Sequence, residues 1–178
     1  AGYYTNSIRI GDKDFDLAVG GNISNIGSKI SYTETSVKDF VPINLRLGTA
    51  IDTEFDDYNK MSFAFDINKL LVPTPPLYDN GERIAGMNPD VSVVSGIFQS
   101  FWDAPGGTKE EFREINYSIG TEYWYANQFA IRAGYFFEDD TKGGRKFFTF
   151  GSGVKYNVFA LDFSYLINAS RAINGNNP

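Results

Sequence analysis

Four times between Arg113 and Asn168 the chain alternates apolar and polar residues, and that period constrains the fold more than any other feature. Ile115, Tyr117, Ile119, Thr121 and Tyr123 alternate with Glu114, Asn116, Ser118, Gly120 and Glu122. Next, Phe129, Ile131, Ala133, Tyr135 and Phe137 oppose Arg132, Gly134 and Glu138, and Phe148, Phe150, Val154 and Tyr156 oppose Thr149, Gly151, Gly153 and Lys155. Last, Phe159, Leu161, Phe163, Tyr165 and Ile167 oppose Ala160, Asp162 and Ser164. Successive side chains of a strand point to opposite faces, so each segment has one apolar, aromatic face and one small, polar face. Each repeat has roughly the 9–11 residues that a tilted strand needs to cross a bilayer. A soluble antiparallel sheet alternates too. Here, however, the polar face is rich in Gly, Ala and Ser, which suits an enclosed lumen, and Tyr and Phe gather near strand ends as in aromatic girdles. The expected fold is all-β, a transmembrane antiparallel β-barrel, with a soluble sandwich as the fallback.

Composition narrows the chemistry. The chain has no cysteine and no histidine. That removes disulfides, Cys-ligated metal and every Ser-His or Cys-His dyad, so an enzyme is not expected, nor is a cofactor or metal. A net charge of −6 and a pI near 4.6 argue against a nucleic-acid partner. No apolar run approaches the roughly 18 residues of a transmembrane helix. Ala1-Gly2-Tyr3-Tyr4 has neither the basic start nor the apolar core of a signal peptide, so the chain is expected to be mature or to lack its beginning.

In chain order, residues 2–10 with Tyr3, Tyr4, Ile8 and Ile10 read as a strand closed by Gly11-Asp12-Lys13-Asp14. That turn is acidic but lacks the ligand spacing of a calcium loop. From Phe15 the apolar set is Phe15, Leu17, Val19 and Ile23; then it slips to Ile26, Ile30 and Tyr32. A period of two changes face only by an inserted residue, which predicts a bulge or kink at Asn25, Ile26 and Gly27. It would serve barrel curvature or open a gap in the wall. A polar connection, Thr33 to Phe40, leads to a strand with Leu45, Leu47, Ile51 and Phe55 on one face, and a turn at Asp56–Asn59 leads to another with Met61, Phe63, Phe65 and Ile67. That strand is expected to end at Val72, where Pro73, Pro75 and Pro76 stop the ladder.

The long connection from Pro73 to about Glu110 contains a change of period. Val94, Ile97, Phe98, Phe101 and Trp102 fall at i, i+3, i+4, i+7 and i+8, one stripe of a helix over Asp90–Trp102. The stripe would either pack over the barrel mouth or dock a partner. Long and short connections alternate, as in barrels with short periplasmic turns and long outer loops. Both ends of the chain then fall on the outer side, and the run 169–178 reads as an outer loop leading to a closing strand. Because bacterial barrels keep both termini in the periplasm, the chain is expected to be the larger part of a barrel, with further strands beyond each end.

Asn25-Ile26-Gly27-Ser28-Lys29-Ile30, Val41-Pro42-Ile43-Asn44-Leu45-Arg46-Leu47-Gly48 and Asp66-Ile67-Asn68-Lys69-Leu70-Leu71-Val72-Pro73-Thr74-Pro75-Pro76 resemble the PorV family of outer-membrane barrels of the type IX secretion system, relatives of the FadL fatty-acid transporters. Trp102-Asp103-Ala104-Pro105-Gly106-Gly107 and Glu114-Ile115-Asn116-Tyr117-Ser118-Ile119-Gly120, with Glu122-Tyr123-Trp124-Tyr125, extend the resemblance over nearly the whole chain. It implies a FadL-like barrel of about fourteen strands, about eight of them here. It also implies a non-enzymatic role at the cell surface: binding the C-terminal signal domain of secreted cargo, associating with the giant translocon barrel and carrying cargo to the sortase-containing attachment complex. The cargo-binding residues expected from periodicity are Val94, Ile97, Phe98, Phe101 and Trp102. Competing readings are a FadL-like transporter of hydrophobic small molecules with its exit at Asn25–Gly27, and an outer-leaflet enzyme built on a polar cluster of Asp66, Asp162, Glu122 and Arg132.

Overall fold

The computed structural model describes residues 1–31 and 38–170. Tyr32, the stretch 33–37 of the polar connection and the run beyond Ser170 lie outside the described residues. Eight long strands form one sheet: β1 (Gly2–Ile10), β2 (Lys13–Ser24), β3 (Asn44–Glu54), β4 (Asn59–Leu70), β7 (Ile115–Tyr125), β8 (Phe129–Phe137), β9 (Lys146–Tyr156) and β10 (Phe159–Asn168). Their order is β1-β2-β3-β4-β7-β8-β9-β10, each beside its neighbour in sequence, and the sheet is not closed within this chain. The chain is all-β apart from two short helices, α1 (Val93–Gln99) and α2 (Thr108–Arg113).

Contacts divide the chain into two compact units. One comprises Tyr4–Val19, Thr49–Asp66 and Tyr117–Pro178. Here the alternation appears as geometry. In the antiparallel pair of β7 and β8, Ile119 lies opposite Tyr135 and Tyr123 opposite Ile131 on one face, Gly120 opposite Gly134 and Glu122 opposite Arg132 on the other. β8 and β9 continue it, with Ala133 opposite Phe150 and Arg132 opposite Gly151. Ile131 is 62% exposed and Phe163 65%, so the apolar face is not folded into a closed interior. The turns obey local chemistry. Asp56 Oδ1 accepts from the backbone N–H of Tyr58 and of Asn59, each at 2.8 Å, and Ala126 and Asn127 both sit at positive φ, as a tight hairpin turn requires.

The other unit comprises Ala1–Tyr3, Gly20–Gly48 and Ile67–Asn116. β4 stops at Leu70, two residues earlier than the prolines suggest. The connection carries elements that periodicity alone does not reveal: a small hairpin, β5 (Leu77–Asp79) with β6 (Glu82–Ala85), and α2. Asn80-Gly81, both at positive φ, is the signal that marks the hairpin. Helix α1 is shorter than Asp90–Trp102. It opens at Ser92, whose hydroxyl accepts from Ser95 N–H at 3.2 Å, and closes at Ser100. At the expected bulge, β2 ends at Ser24, Asn25 adopts φ +58°, and its side chain donates to Pro42 O at 3.2 Å. Ile30 pairs with Asp39 in an isolated bridge.

Candidate functional site

Two arrangements on the chain bring polar or apolar side chains together in a way that has functional consequences, one in each unit. The first is on the polar face of β7–β10. Arg132 donates from Nε to Glu122 and from Nη1 to Asp162 Oδ1 at 2.6 Å, reaching across β9. Two glycines permit that reach. A Cβ on Gly153 would stand 2.6 Å from Asp162 Oδ1, and one on Gly151 3.3 Å from Arg132 Cβ. Trp124 donates its indole N–H to Glu122 Oε1 at 2.6 Å and offers its ring to the Arg132 guanidinium, 5.5 Å from the centroid. So three of the four residues of the expected polar cluster meet. Asp66 lines the same cleft of about 520 Å³ but makes no hydrogen bond or ion pair among the described residues. The Glu122 and Asp162 carboxylates are both held by Arg132, an arrangement that ties β7, β8 and β10 together.

At the far end of β8, Glu138 is buried and receives a two-pronged bond from Arg145, Nε to Oε2 and Nη2 to Oε1, both 2.8 Å. These bonds hold the Glu138 carboxyl below its ordinary value of 4.5. A depressed folded value gives stability that is present above 4.5 and lost as pH falls through the folded value. Amide protection of the 139–145 loop is therefore expected to hold at neutral pH and to drop on acidification below 4.5, and Glu138→Gln to remove that drop; hydrogen exchange against pH measures both.

The second arrangement is the long connection. Gly96 lets α1 lie directly on Phe40 and Pro73: a Cβ there would sit 2.6 Å from Phe40 Cε1. The helix buries Gly96 and Gln99, and the residues after it bury Ser100 and Asp103. The apolar stripe points the other way. Val94 (65%), Phe98 (61%) and Trp102 (61%) are exposed, Phe101 is exposed as well, and Ile97 is half-buried. Phe112 of α2 adds another exposed ring. An amphipathic helix normally turns its apolar stripe to the core; this one turns it out.

Beneath it lies a buried polar node that periodicity cannot reveal. Lys69 Nζ donates to Glu111 Oε2 at 3.1 Å and Glu114 Oε2 at 2.8 Å, all three side chains buried or nearly so. Glu111 Oε1 accepts from Ala104 N–H at 2.7 Å and Glu114 Oε1 from Thr74 hydroxyl at 2.7 Å. Asp103 Oδ2 accepts from Thr74 N–H at 3.1 Å and Gln99 Nε2 at 3.2 Å. The sequence signal that could have found it is a lysine in phase with the apolar set Met61, Phe63, Phe65 and Ile67 of β4, with Glu111 and Glu114 one helical turn apart before β7.

The family model of the type IX secretion system protein PorV matches residues 1–77. Over that stretch the chain is similar to the PorV family. No curated protein matches the chain. The match takes in β1 to β4 and the first proline turn, including the motifs around Asn25, Val41 and Asp66.

Proposed function

We propose that this chain is part of an outer-membrane barrel that receives the C-terminal signal domain of secreted cargo, associates with the translocon barrel and carries cargo to the sortase-containing attachment complex. The observation that carries the reading is the outward stripe Val94, Ile97, Phe98, Phe101 and Trp102 on the long connection of a PorV-like chain. Exposed aromatic side chains clustered on one surface, here Phe98 on α1 with Phe101 and Trp102 just after it, are the residues that dominate protein interfaces when truncated. The apolar face of β7–β10 supports placement in a bilayer, since side chains such as Ile131 and Phe163 would otherwise stand in water. A β-rich cargo domain meets such a stripe by burying it.

The test uses the full-length protein solubilised from outer membrane and a cargo signal domain. Phe98→Ser and Trp102→Ser are each expected to cost about 2 kcal/mol of capture, roughly 30-fold in Kd. Capture unchanged by the double substitution rules the stripe out. A second reading, transport of hydrophobic small molecules, draws on the end of β2 at Ser24 and the left-handed Asn25. Uptake of labelled fatty acid by vesicles holding the intact protein, blocked by bulk at Gly27, would favour it.

A further inference from the structure

Burying Gln99, Ser100 and Asp103 while exposing Phe98, Phe101 and Trp102 runs against the hydrophobic effect, which favours covering apolar area by about 25 cal/mol per Å². Something specific must hold α1 in this rotation. The buried polar side chains do so by their partners, because a buried polar group is tolerable only when hydrogen-bonded. Gln99 Nε2 reaches both Asn88 O at 2.9 Å and Asp103 Oδ2, and Ser100 Oγ donates to Ile97 O at 2.8 Å. Asp103 in turn grips Thr74 N–H, just past the end of β4, while Glu111 and Glu114 grip Lys69 on β4 itself. Turning α1 over would break the Gln99–Asn88 and Asp103–Thr74 bonds and leave those groups buried and unpaired.

One atom in the node is unsatisfied. Asp103 is only 1% exposed, yet its Oδ1 has no hydrogen-bond partner and the carboxylate has no ion-pair partner among the described residues. The groups facing it are Gln99 from α1, Thr74 from the segment after β4 and Glu111 from α2, with Lys69 of β4 turned to Glu111 and Glu114. None of these is a cation bonded to Asp103.

We propose that Asp103, Glu111 and Lys69 are positioning residues that latch the long connection with its apolar stripe outward, and that the latch is proton-linked through Asp103. The neutral carboxyl removes an unpaired buried charge and makes the orphan oxygen a hydroxyl; the ionised form carries the full desolvation cost. Consistent with this, burial first, and the nearby Glu111 charge as well, push Asp103 above its ordinary value of 3.8. A raised folded value gives the folded connection stability that is complete below 3.8 and lost as pH rises through the folded value. Ionising Asp103 thus loosens the hold on the stripe, while the carboxylates of Glu111 and Glu114 on Lys69 tighten it. The consequence for cargo rests on the function proposed above; the latch itself does not.

Hydrogen exchange of residues 93–113 in the full-length protein, corrected for intrinsic rates, tests the latch. The ratio of wild-type to Asp103→Asn protection is expected to fall as pH rises from below 3.8 to neutral, while the same ratio for β7–β9 stays level; comparing the two proteins cancels what Glu111 and Glu114 contribute to both. Asp103→Asn keeps an acceptor for Thr74 and Gln99 but cannot ionise; its protection is expected to match or exceed wild type at neutral pH. A ratio that does not change with pH overturns the proposal. Cargo capture by Phe98→Ser, Trp102→Ser protein separates the two readings: undiminished capture sinks the cargo site and leaves the exchange profile of the latch standing.

Discussion

Ile119→Arg is expected to lower the stability of the protein folded into phosphatidylcholine vesicles by about 2–4 kcal/mol. Ile119 is 58% exposed at the middle of β7 and lines a shallow apolar cleft with Phe63, Phe148 and Phe150. Aromatic side chains bracket this zone: Phe65, Tyr117 and Phe137 near one set of strand ends, with neighbouring rings 6.4 Å apart, and Tyr58 with Tyr125 near the other. In hydrocarbon an arginine there must carry its charge away from water, at the cost just given. In water the same exposed substitution would change stability by no more than about 0.5 kcal/mol. Denaturant titration of vesicle-folded protein tells the two apart, and a near-zero change would remove the bilayer from the account of this sheet.

Lys69→Met is expected to cost about 3–5 kcal/mol, concentrated in the unit holding the long connection. The substitution keeps the apolar stem and deletes the ammonium that meets Glu111 and Glu114, whose side chains are only 10% and 14% exposed. Carboxylates left buried without their lysine carry a desolvation penalty no longer offset by attraction. Adding Glu111→Gln should return part of the loss, since it removes one of the stranded charges; the double-mutant cycle reads that coupling. Lys146→Met at the Asp140 pair sets the scale. Asp140 is 78% exposed, so the change there should stay within about 1 kcal/mol. Denaturant unfolding, with hydrogen exchange over 93–113, distinguishes the sites.

The same contrast explains why parts of the molecule were readable in advance. Tyr117, Ile131 and Phe150 could be assigned to one face because the side-chain period of a strand is fixed by the backbone, whatever surrounds it. Glu122, Arg132 and Asp162 fell together for the same reason, and register brought Glu122 directly opposite Arg132. Asp66 shared their face without joining them, since a face fixes direction and not distance. At Asn25 the phase slip was visible in the sequence. That it takes the form of a strand end with a left-handed residue, instead of an extra residue within a continuing ladder, depends on Pro42, 17 residues away.

The sequence alone determined the eight strands, their sidedness, the turns between them and the presence of an amphipathic helix in the long connection, because all of these follow from local periods and turn chemistry. Only the tertiary structure decided which way that helix faces. Its rotation is set by Lys69 and Thr74 meeting Glu111, Glu114 and Asp103, partners 29 to 45 residues apart, and a buried hydrogen-bond network between distant segments outweighs the apolar stripe that local sequence shows.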